Sequence, residues 1–224
     1  MTAQNIWQLN SSEIQRQERR AQATVSFLDI TTDDFILDVG CCEGFIANHF
    51  SKCSLVVGID NSKVSLLTAK QNVRKSNVDF VLADINALPL SAESFDKITL
   101  LEVLEHLPKD KQRSLCGEID QLLRHNGIFL ISTPYKEQIT YATSINCGKS
   151  TPLWGHLCSL DAEKISNLLP AGYSQIVQYH LPNIPLVSLS TVFQYLPFRF
   201  WSVLNNILGR FRKGYWIILK YKKS

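Results

Sequence analysis

The hydrophobic positions of this chain fall into short solid runs separated by longer stretches of helical spacing. Phe35 to Gly40, Leu55 to Asp60, Asp79 to Ala83, Phe95 to Leu101 and Ile128 to Ser132 are rich in apolar and β-branched residues, with little alternation. A strand that is apolar on both sides is covered on both sides, which is the environment of a parallel sheet. Between the runs, residues 43–51, 62–75 and 109–124 read as helices. Val64, Leu67 and Val73 are the expected inward positions of the second, and Leu115, Ile119, Leu122 and Leu123 those of the third, which Asn126-Gly127 closes. Five strand-helix units in succession predict an α/β fold built on a doubly wound, mostly parallel sheet.

The flanks add further elements. Residues 11–29 read as a helix opened by the capping pattern Ser12-x-x-Gln15, with Ile14, Ala21, Val25 and Leu28 inward and Arg16, Arg19 and Arg20 on a solvated side. Ser159-Leu160-Asp161 starts a helix to about Leu169, strand 173–181 follows Gly172, and Tyr215 to Tyr221 form the last strand. Residues 135–158 carry no period but hold Tyr135, Tyr141, Trp154 and His156, and read as a lid or acceptor pocket. One domain over 1–224 is the simplest organisation for this length.

The stretch 35–44 is where chemistry first shows. A strand runs into Asp38 and then the tight turn Gly40-Cys41-Cys42-Glu43-Gly44, ahead of an expected helix start. Glycine permits positive φ and close backbone approach, and a helix N-terminus favours an anionic group. Asp60 ends the second strand 20 residues after Gly40, the position from which an acid reaches ribose hydroxyls in open α/β sheets; Asp84 follows the third. The acids therefore collect at the edge where such sheets bind ligands. A nicotinamide or flavin fold would require G-x-G-x-x-G, which this turn does not supply.

The segments that follow carry a family resemblance. Leu37-Asp38-Val39-Gly40-Cys41-Cys42-Glu43-Gly44, then Asp60, Asp84-Ile85-Asn86-Ala87-Leu88-Pro89, Phe95-Asp96, Glu102-Val103-Leu104-Glu105-His106-Leu107 and Leu123-Arg124-His125-Asn126-Gly127 occur in the order of the class I S-adenosylmethionine-dependent methyltransferase motifs. The resemblance spans about residues 30–180. It implies a Rossmann-like seven-stranded sheet whose last strand is antiparallel, and S-adenosyl-L-methionine as cofactor. Asp38, Gly40, Cys42 and Gly44 would border the cofactor's amino-acid portion, Asp60 its ribose, Asp84 and Ile85 its adenine, and Leu101 and Glu102 its methionine part and the acceptor. Cys42 departs from the pattern, standing where the family has its middle glycine. Close approach, not positive φ, is the expected constraint there, and a catalytically degenerate scaffold or interaction protein is the competing reading.

Methyl transfer is an in-line displacement that gains most from holding the nucleophile close and aligned. An oxygen acceptor must lose a proton, for which His106 and His156 are the candidates, histidine titrating near neutral pH. Glu105 would orient His106 or face solvent.

The composition bears on partners. The net charge is +3, yet residues 164–224 carry eight of the 23 Lys and Arg and none of the 20 acids, so an anionic neighbour is implied for that end. Where the family connects its last two strands tightly, residues 182–214 form an insert. Its apolar stripe is Phe200, Trp201, Leu204, Ile207, Leu208 and Phe211, followed by Arg210, Arg212 and Lys213. It is too interrupted to span a bilayer but suits a membrane surface, met through 186–212, or a lipid-like acceptor such as a lipid, quinone precursor or lipid-linked sugar; a soluble metabolite is the alternative. No RNA module or groove-lining basic patch is present, so nucleic acid is not expected. The N-terminus has no signal-peptide character, which makes the cytoplasm, with peripheral membrane contact, the expected location. The cysteines at 41, 42, 53, 116, 147 and 158 have no zinc-ligand spacing, so reduced thiols and no metal are expected. Sequence leaves the oligomeric state open.

Overall fold

The computed structural model describes residues 11–50, 52–181, 196–209 and 216–224. Five parallel strands, β1 (Phe35–Val39), β2 (Leu55–Asp60), β3 (Val78–Leu82), β4 (Phe95–Leu101) and β5 (Leu123–Pro134), join β8 (Tyr173–Leu181) and β9 (Trp216–Lys223) in the order β3-β2-β1-β4-β5-β9-β8. β9 runs antiparallel to both β5 and β8, as the resemblance implied. The chain switches direction between β1 and β4, so the ends of the parallel strands share one edge, the usual ligand edge of such sheets.

Both faces of the sheet are covered, which explains the solid apolar runs. Leu37, Val39, Ile98, Leu100, Phe129 and Ile131 lie in one core with Leu115, Cys116, Ile119 and Leu122 of α3 (Lys109–Leu122) and Ile165 of α4 (Ala162–Ser166). On the other side Ile36, Val56, Phe80, Leu130 and Ile218 meet Ala23 and Leu28 of α1 (Ser11–Leu28) and Leu66 and Ala69 of α2 (Lys63–Asn72). Val64 and Leu67, expected inward, are exposed, and α2 buries Leu66 and Ala69 instead. At the opposite edge, buried Lys97 pairs with Asp34 at 2.6 Å, and Lys220 with Asp29 at 2.7 Å.

Three further expectations need correction. Residues 43–50 do not form an α-helix: the turn passes into three 3-10 residues, Ala47–His49, so no α-helix starts directly after the glycine turn. The Asn126-Gly127 stop is a bulge inside β5, with Asn126 at φ +63 and the register against β4 shifting between Phe95 and Lys97. Residues 135–158 contain a hairpin, β6 (Tyr141–Thr143) and β7 (Ser150–Pro152), separate from the main sheet.

The third concerns the outer helices. In α5 (Phe198–Gly209) Trp201 and Phe198 pack on the core and Ser202 Oγ lies 3.2 Å from Tyr179 Oη, while Phe200, Val203 and Ile207 are exposed. The stripe is therefore divided: Trp201 faces in, Phe200 and Ile207 face out. Of α1's three arginines only Arg16 is solvent-exposed; Arg19 is buried, donating from Nη1 and Nη2 to Leu196 O at 3.1 Å under Trp201, and Arg20 lies over Trp216. The expectations for Ser12, Leu208, Arg210, Phe211, Arg212 and Lys213 fall on side chains outside those described.

Candidate active site

The edge is built around the turn after β1. Gly40 N and Cys41 N both donate to Ile59 O, at 2.8 and 2.9 Å, which ties the turn to the end of β2. Gly40 stands at φ +76, and a Cβ there would come 2.5 Å from Val103 Cγ2; Gly44 stands at φ +73 with the Phe80 ring at 2.7 Å. Both positions accept only glycine. Cys42 is exposed and also left-handed, at φ +49. The expectation that close approach alone constrains this residue is thus corrected: its backbone occupies a region that costs an L-residue about 1 kcal/mol or more.

Asp60 secures the strained residue. Its Oδ2 accepts from Cys42 N at 2.9 Å and its Oδ1 from Ser62 N at 2.8 Å, joining the glycine turn to the start of α2. A carboxylate has further lone pairs, so a hydroxyl donor can still be taken. Beneath the turn Asp38 is 2% exposed and accepts from Thr99 Oγ1 at 2.7 Å; burial pushes its carboxyl up to about 6. Asp84 is exposed, its Oδ1 accepting from Asn86 N and Nδ2 at 2.9 and 2.6 Å, bonds that hold it below the usual carboxylate range; Ile85 is half-buried.

Beyond β4 a second group forms. Leu101 is buried, and Glu102 at φ +57 accepts from Ser132 Oγ at 2.8 Å. Glu105 neither orients His106 nor meets solvent: it is 1% exposed, its Oε2 accepts from Thr133 Oγ1 at 3.1 Å, and its Oε1 has no partner among the described residues. Burial, with the charge of Glu102 second, pushes its carboxyl up to about 8.

Sequence separates His106 from His156 by 50 residues, and the fold brings their rings to 4.8 Å between centroids at 72°. His106 Nδ1 lies 3.2 Å from Gly155 O; desolvation, with His156 second, lowers its pKa. His156 Nδ1 lies 2.5 Å from Glu137 Oε2. The helix that follows is capped by Asp161, which accepts from Lys164 N at 3.0 Å. Donor atoms of Glu105, His106 and His156 lie within 4.8 Å of one another, the kind of group that can hold a cation. Tyr135 stacks edge-on with His180 at 4.6 Å, and Tyr141 and Trp154 are exposed.

All the sequence-selected residues from Asp38 to Glu102 belong to the strand-end edge or to the loops leaving it, and the two histidines meet in the loops after β4 and β7. Glu137 was missed. It lies 19 residues from its partner in a segment without a period, so no local pattern marks it.

Residues 37–131 match a methyltransferase domain family. A ubiquinone biosynthesis O-methyltransferase of Coxiella burnetii is 30% identical over 151 residues, 66% of this chain; the chain spans only 58% of that relative's length. An N-methyltransferase, NodS, of Bradyrhizobium japonicum, solved with S-adenosyl-L-homocysteine, superposes with a TM-score of 0.66 at 16% identity, covering 100% of this chain and 94% of that one. The [4+2]-cyclase SpnF gives 0.66 at 18% identity, covering 92% and 81%. These structures are similar to this chain in fold.

Proposed function

Because this chain belongs to the class I S-adenosylmethionine-dependent methyltransferases, we propose that it transfers a methyl group from S-adenosyl-L-methionine to an oxygen of a small apolar acceptor drawn from a membrane surface. The observation that carries the reading is the meeting, at one sheet edge, of the Gly40–Gly44 turn, the Asp60 carboxylate and the His106–His156 pair.

The residues fit the cofactor. The tight turn is held at the ends of β1 and β2 by glycines packed against Val103 and Phe80, Asp60 retains acceptor capacity toward ribose hydroxyls, and Asp84 is exposed for an exocyclic amine. When bound, the cofactor supplies an electrophilic methyl group on a sulfonium. The protein's part is to hold the acceptor in line and take its proton, which two imidazoles beside Glu102 and Glu105 are suited to do.

An apolar acceptor is supported by the surroundings of the histidines, where Leu153, Trp154 and Leu157 are exposed. A membrane surface is supported by the outward Phe200, Val203 and Ile207 of α5 and by a chain end with cations and no acid. No helix among the described residues is long and apolar enough to cross a membrane, so contact would be peripheral. The Coxiella burnetii relative's name favours oxygen as the acceptor atom.

Isothermal calorimetry with S-adenosyl-L-methionine tests the first step. Micromolar binding is expected, and absence of binding by both the native chain and Cys42→Gly would overturn the enzyme reading in favour of a cofactor-poor scaffold, which the left-handed Cys42 favours. Sedimentation with phosphatidylglycerol vesicles tests the surface: Phe200→Ser/Ile207→Ser should remain in the supernatant, and equal partitioning of variant and native chain removes the membrane claim.

A further inference from the structure

The pair formed by Glu137 and His156 is absent from every motif of the sequence, yet both side chains are largely enclosed, at 18% and 15% exposed. A carboxylate can only accept, so the proton in the 2.5 Å contact with Nδ1 belongs to the ring, and in the neutral imidazole this tautomer is the one that leaves the Nε2 lone pair free. His106 lacks such a partner: its Nδ1 faces the neutral carbonyl of Gly155, and the ring is exposed. Two histidines 4.8 Å apart are therefore differentiated by what stands behind them.

We propose, resting on the transferase reading above, that Glu137 is a positioning residue which fixes the tautomer of His156 and makes that histidine, not His106, the group that removes the acceptor's proton. In the transfer a bond forms between the acceptor oxygen and the methyl carbon while the carbon–sulfur bond breaks, its electron pair going to sulfur. The acceptor's hydroxyl proton passes to His156 Nε2. The imidazolium so formed is held against the Glu137 carboxylate, which stabilises the positive charge as it develops.

The titratable groups facing His156 are Glu137 from the segment after β5, and Glu105 and His106 from the loop after β4; Glu102 acts on His106 from the same loop. Among the described residues, Glu137 is the one of these that hydrogen-bonds a ring nitrogen of His156. The class of acceptor follows: a hydroxyl compound whose pKa lies above the working pH, such as a phenol, which needs a base at the moment of attack.

The test uses the full chain with histidine rings labelled for NMR. In Glu137→Gln the Nε2-protonated tautomer of His156 should become populated, because the carboxylate that held the proton on Nδ1 has been removed. Methyl transfer to a long-chain alkylphenol should lose about 10- to 100-fold in kcat, with KM changed less than about twofold. Glu137→Asp should recover part of kcat. Calorimetry with S-adenosyl-L-methionine, expected to give the native affinity in both variants, excludes general misfolding. An unchanged tautomer overturns the proposal, as does an unchanged kcat in Glu137→Gln. A native chain that transfers nothing to any phenol overturns the oxygen-acceptor reading above, and the ring tautomer then reports on the pair independently.

Discussion

At Cys42 the backbone is held at φ +49 by a hydrogen bond from its N–H to Asp60, in the turn where the family has glycine. Removing the Cβ relieves that conformation, so Cys42→Gly should stabilise the protein by up to about 1 kcal/mol in urea unfolding and tighten S-adenosyl-L-methionine severalfold in calorimetry. Glu105 makes a prediction of the opposite kind. Its carboxyl moves from 4.5 to about 8 on folding. Between those values the unfolded chain releases the proton and the folded one keeps it, so this group removes stability progressively as pH rises from about 4.5 to 8. Glu105→Gln keeps an acceptor for Thr133 and cannot ionise. It should match the native chain in unfolding near pH 4.5 and exceed it by more than about 1 kcal/mol at pH 8.

Among the elements, α1 and α5 are joined by one side chain. Arg19 bonds Leu196 O just ahead of α5 and lies 5.0 Å from the Trp201 ring, a half-buried cation–π contact that brings together segments 177 residues apart. Arg19→Met should cost about 1 to 2 kcal/mol of stability and speed hydrogen exchange in residues 198–209, leaving exchange in β1 and β4 unchanged. The β6–β7 hairpin stands outside the main sheet, its two strands pairing with each other. Replacing residues 141–152 by a Gly-Ser linker should shift the melting temperature by only a few degrees and leave cofactor binding intact, while methyl transfer to an alkylphenol is lost.

The whole molecule carries its charge unevenly, with a net +3 that conceals a cationic end free of acids. If α5 meets an anionic bilayer, binding should weaken as salt rises, because the screening length falls from about 10 Å at 0.1 M to about 3 Å at 1 M; the part that survives high salt measures Phe200, Val203 and Ile207. The sequence alone determined the sheet, since burial on both faces writes each strand as a solid apolar run, and it marked the turn, Asp60 and Asp84, since those positions follow directly from strand ends. It also selected His106 and His156 separately. Only the tertiary structure decided that these two meet, that Glu137 backs one of them, that Glu105 is buried, and that Trp201 turns inward over Arg19. Each of these depends on contacts between segments distant in the chain, and neither period nor spacing encodes which side chains such segments bring together. The left-handed conformation of Cys42 belongs with them, because it comes with a hydrogen bond to Asp60 at the end of the neighbouring strand.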